Sequence, residues 1–79
     1  MEPRLVPIAD HALLVEFGSV IDDAVTDRVH ALDRALAAAP PPGLREVVPG
    51  FVNLLIDFDP LLTDHARLAR DVGERLAHP

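Results

Sequence analysis

The chain has 79 residues, a net charge of −6 with histidine neutral, and no cysteine. That size allows one domain, burying only roughly 60% of the unfolded chain's surface, and leaves no disulfide or thiolate metal site to support it. The acidic balance and the lack of Trp and Tyr argue against nucleic acid as a partner, no run reaches the roughly 18 apolar residues of a membrane span, and the cysteine-free composition fits a cytoplasmic protein. The opening Met1-Glu2-Pro3-Arg4 has an acid and no long apolar core, unlike a signal peptide.

Arg4 to Ala9 reads as a first strand. Pro7 cannot donate to a ladder, which places this strand at a sheet edge or turns Pro7 outward. Asp10-His11 is expected to make a two-residue turn into a second strand, Ala12 to Phe17. Leu13, Val15 and Phe17 then share one face, with Leu14 and Glu16 on the other. Asp22 is a good N-cap for a helix over about residues 22–39. Val25, Val29, Leu32 and Leu36 form its apolar stripe, widened by Ala24, Ala31 and Ala35, and Pro40-Pro41-Pro42-Gly43 ends it.

Leu44 to Val48 reads as a third, short strand, and Pro49-Gly50 turns it into the fourth. Gly50 is expected to supply the positive φ of a type II turn. In the fourth strand Leu54, Ile56 and Phe58 alternate with Leu55, Asp57 and Asp59, so one face is wholly apolar, and Asp59-Pro60 ends the run. Thr63 or Asp64 caps a second helix to about Ala77, with Leu68, Val72 and Leu76 four apart and Gly73 weakening it by roughly 1 kcal/mol. The fold class expected is α+β: a two-layer ββαββα arrangement, with a four-stranded, mostly antiparallel sheet and two helices on one face.

Few residues offer chemistry. Glycines 18, 43, 50 and 73 fit neither a dinucleotide nor a phosphate-loop spacing, and a lone Ser19 without cysteine gives little material for a nucleophile–base pair. His30 with Asp27 and Asp23 is the nearest approach to a metal set, but all three lie off the apolar stripe, where a hydrated face is the simpler reading. Asp64 reads as a helix-start charge with His65 an exposed neighbour, and His11 and His78 have no visible partners. Asp57 and Asp59 could be a carboxylate pair for acid–base work, though polar strand ends and an Asp before Pro explain them more simply. Leu14 and Leu55 place apolar side chains on the sheet face that the helices leave open, which favours cover by another domain or chain.

Two stretches carry a family resemblance. Asp10-His11-Ala12-Leu13-Leu14-Val15-Glu16-Phe17-Gly18 resembles the D-x-A-L-L-V-E-F-G segment of the KipI / PxpB family, which includes the B subunit of 5-oxoprolinase, allophanate hydrolase subunit 1 and carboxyltransferase subdomain proteins. Glu46-Val47-Val48-Pro49-Gly50-Phe51 followed by Leu54-Leu55-Ile56-Asp57-Phe58-Asp59-Pro60 is similar to its V-P-[aromatic loop]-S-L-L-V-x-[FY]-D-P segment, with Asn53 where the family has Ser. Val29-His30-Ala31-Leu32 and the proline-rich loop also fit, and the likeness runs from about Arg4 to Leu76.

The resemblance implies a ββαββα N-terminal domain over residues 1–79, without the family's C-terminal cyclophilin-like domain. It implies a part in the ATP-dependent 5-oxoprolinase that converts 5-oxoproline to glutamate with A and C subunits, or a regulatory module such as a sensor histidine kinase inhibitor. Relatives are also fused within urea amidolyase-type enzymes. It transfers no catalytic, cofactor-binding or metal residue to this chain: ATP is implied for the complex, and the isolated chain is expected to be inactive.

Overall fold

The computed structural model describes residues 2–78. The elements run β1 (Arg4–Ile8), β2 (Ala12–Glu16), α1 (Asp23–Ala38), β3 (Leu44–Pro49), β4 (Asn53–Phe58) and α2 (His65–Ala77). The strands form one four-stranded sheet in the order β1-β2-β4-β3. All its pairings are antiparallel, so two local hairpins are joined through β2 and β4. The α+β, two-layer ββαββα expectation holds, and the helices lie on one face. Period-two alternation turns Leu13, Val15, Leu54, Ile56 and Phe58 to that face, where they meet Val29, Leu32, Leu36, Leu68 and Val72 in a single core. Among the described residues no helix is long and apolar enough to cross a membrane.

Local chemistry sets the helix ends. Asp22 caps α1 by accepting from the Ala24 amide at 2.8 Å, and Asp64 caps α2 by accepting from the Arg67 amide at 2.8 Å. The far end of α1 has no basic residue in its last turn. Arg75 of α2 supplies that charge instead: its guanidinium donates to the Ala35 carbonyl at 2.8 Å and to the Ala39 carbonyl, while Asp71 accepts from the same side chain. The Ala39 carbonyl at the end of α1 thus gains a donor from the other helix, and the Ala35 carbonyl, which already accepts from the Ala39 amide, gains a second.

Two turns differ from expectation. Ile8 pairs with Ala12, so the first hairpin has a three-residue loop and not the two-residue Asp10-His11 link. Ala9 takes the extra position with φ 50°, a left-handed conformation that shortens β1 by one residue. Gly50 does not have the positive φ expected of it; Gly43 does, at 84°. Gly50 is needed for space, since a Cβ there would come within 2.6 Å of Asn53 Oδ1. Its amide donates to the Asn53 carbonyl at 2.8 Å, closing a loop between Pro49 and Leu54, which pair.

Candidate interaction face

The side of the sheet away from the helices has a definite pattern. Val6 pairs with Leu14, Leu14 with Leu55, and Leu55 with Val48. These side chains form one apolar row across all four strands, about 14 Å long at the usual strand spacing. Val6, Leu14 and Leu55 are half-buried and Val48 is 48% exposed, while Ile8, next to Val6 on the same face of β1, is 40% exposed.

Paired charges frame this row. At one end Arg4 Nη1 lies 4.0 Å from Glu16 Oε2. At the other, Arg45 Nη2 donates to Asp57 Oδ1 at 3.0 Å. That hydrogen bond is the main reason the Asp57 carboxyl is held below its ordinary value, and Arg45 is raised in return. A register shift between Leu44 and Glu46 lets Arg45 reach across to β4. An apolar centre with a charged, mutually neutralised rim has the anatomy of a protein interface. The sheet's edges are less suited to pairing: β1 contains Pro7, and β3 carries the register shift and ends in Pro49.

The polar residues singled out in the sequence do not converge. Asp23, Asp27 and His30 are exposed on α1. Among the described residues no three His, Cys, Asp or Glu side chains gather in a way that could hold a metal. Asp57 is occupied by Arg45, and Asp59 Oδ1 accepts from the Leu61 amide at 2.9 Å as a turn former, so the two carboxylates have separate structural tasks. His11 is exposed beside Asp10 at 3.1 Å, and His78 is exposed.

His65 corrects the reading of it as an exposed neighbour of Asp64. Its Nε2 lies 2.9 Å from the Ala12 carbonyl, and its ring meets Phe58 edge-on at 5.1 Å. It fastens the start of α2 to the central strands. Its partners lie far away in sequence, and no local pattern announces them. A cavity of about 390 Å³ between the helices is bordered by Phe17, Leu32, Leu76, Arg28 and Arg75. Arg75 is committed to the end of α1, and Arg28 lies 5.2 Å over the Phe17 ring. The cavity lining contains no carboxylate, imidazole or hydroxyl for acid–base or nucleophilic chemistry.

Comparison with known proteins identifies the family. The family model described as "carboxyltransferase domain, subdomain C and D" matches residues 3–79. The chain belongs to that family. It is 30% identical to the 5-oxoprolinase B subunit of Bacillus subtilis (strain 168), over 94% of this chain and 35% of that protein. It therefore spans about a third of the length of this curated relative. Among solved structures, the conserved uncharacterized protein PH0987 from Pyrococcus horikoshii matches with a TM-score of 0.75 and 32% identity, over 94% of this chain and 38% of that one. The N-terminal domain of the histidine kinase inhibitor KipI from Bacillus subtilis matches with a TM-score of 0.76 and 28% identity, over 96% of this chain and 85% of that one. The KipI / PxpB resemblance read from the two sequence stretches is therefore correct.

Proposed function

We propose that this chain is the subdomain C and D module of the B subunit of a 5-oxoprolinase, acting in the cytoplasm, and that its contribution is assembly and not bond chemistry. The observation that carries the reading is the apolar row Val6–Leu14–Leu55–Val48, framed by two ion pairs on a face no helix covers. It occurs in a chain that is 30% identical to such a protein over 94% of its own length and 35% of that protein's. On this reading A and C subunits are the partners, and ATP is used by the assembly and is not held by this chain. Co-purification with the A and C subunits of the same source, followed by an assay of ATP-dependent glutamate release, tests it. Activity that requires this protein alongside both subunits is expected, with no turnover by this chain alone. Failure to associate with either of them would overturn the proposal.

A second reading has its own support: the likeness to the KipI N-terminal domain spans nearly the whole of both chains. On that reading the same face serves a regulatory contact with a sensor histidine kinase. Slowed autophosphorylation of such a kinase, without any 5-oxoprolinase association, would favour it.

A further inference from the structure

A second apolar surface lies at one end of the sheet. There the loop between β2 and α1 adjoins the loop between β3 and β4. The Phe17 amide donates to the Val52 carbonyl at 2.8 Å, and Thr26 Oγ1 donates to the Phe51 carbonyl at 2.9 Å. Each loop is also braced internally, the first by the Asp22 cap on Ala24 and the second by the Gly50–Asn53 hydrogen bond. From these fastened backbones project Val20, 72% exposed, Ile21, 69% exposed, and Phe51, 68% exposed. Large apolar side chains held outward on tied loops have already lost much of the freedom that binding would otherwise remove.

Acidic residues outnumber basic ones around this tip, where Arg4 is paired with Glu16. From Gly18 to Asp27 the only charged residues are Asp22, Asp23 and Asp27, all exposed, and Pro49 to Asn53 has no charge. Arg28, the next cation along the chain, lies over the Phe17 ring. A two-fold contact between copies would set these carboxylates against their own images, and an anionic lipid surface would repel them. The complementary surface is an apolar recess with a cationic rim.

We propose that the tip formed by Val20, Ile21 and Phe51 docks into an apolar recess rimmed by Arg or Lys on a protein partner. The inference rests on the assembly reading above, because it assigns that recess to one of the companion subunits. The probes are the purified A and C subunits, with phosphatidylcholine vesicles as the lipid comparison. The Ile21→Ser, Phe51→Ser double variant is expected to weaken binding to those subunits at least tenfold while leaving the circular dichroism spectrum unchanged. Asp23→Lys, which spares the Asp22 cap, is expected to slow association and flatten its dependence on salt. Leu14→Ser on the open sheet face serves as the comparison for a contact made elsewhere.

Each outcome decides. If the unaltered protein binds neither of the two, the assembly reading and this inference both fall. If it binds and the tip variants bind equally well, this inference alone falls, and loss with Leu14→Ser instead assigns the contact to the sheet face. Binding to the vesicles, or self-association that the serine substitutions abolish, would overturn the protein-partner assignment.

Discussion

On the helix side of the sheet Leu13, Val15, Leu54, Ile56 and Phe58 are each no more than 1% exposed, whereas one residue along the same strands Leu14 and Leu55 are only half-buried and Val48 is 48% exposed. Both faces are apolar at their centres, but they are finished differently. The inner face is closed by two helices and contributes stability. The outer face carries one row of hydrophobic side chains and ends it on both sides with ion pairs, which favours association with a partner over further collapse. A small domain can thus divide its apolar residues between folding and contact by the alternation of a strand alone.

The sharpest way to break the contrast is to cut into the inner face. Phe58 is fully buried and supports the His65 ring. Phe58→Ala is expected to cost about 3–5 kcal/mol, a large share of the roughly 4–12 kcal/mol available to a domain of this size. Urea denaturation followed by circular dichroism would show a large drop in midpoint. The corresponding change on the outer face, Leu14→Ser, is expected to cost less than about 1 kcal/mol, because mainly cross-strand contacts are lost. A drop comparable to that of Phe58→Ala would mean the two faces do not differ in the way described.

The smallest effect concerns the rim. The Asp57 carboxyl is held below its ordinary value chiefly by its hydrogen bond from Arg45. The stability it contributes is therefore fully present above the unfolded-state carboxylate value and is lost as pH falls from there through the lower folded-state value. In Arg45→Gln the Asp57 titration, followed by NMR, is expected to move upward toward the ordinary carboxylate range. An unchanged midpoint would show that the guanidinium does not hold it down.

Much of this architecture was legible in the sequence. The alternation of Leu13, Val15 and Phe17 with Leu14 and Glu16, and the four-and-three spacing of Val25, Val29, Leu32 and Leu36, identified which residues turn inward. Asp22 marked the first helix start and Thr63-Asp64 the second, where Asp64 proves to be the cap, and Leu14 and Leu55 marked the open face. What escaped were contacts made across the fold. His65 reaches a carbonyl 53 residues away, and Arg75 reaches carbonyls 36 and 40 residues back. The Arg45–Asp57 pair depends on a shift in strand register, which periodicity does not reveal. The two-residue Asp10-His11 turn and the positive φ at Gly50 failed because loop length and the space beside Asn53 decided the turns, while residue preference alone had suggested otherwise. The tip had a faint signal: Val20-Ile21 and Phe51 are large apolar residues outside any periodic run.

The clasp from Arg75 has a consequence for the order in which the molecule is made. The side chain that donates to the Ala35 and Ala39 carbonyls lies 40 and 36 residues after them, so it is translated later than the whole of α1. Until then its final turn has no cation to oppose the negative end of the helix. Once translated, Arg75 gives the end of α1 its cation and ties the two helices together through the same contact.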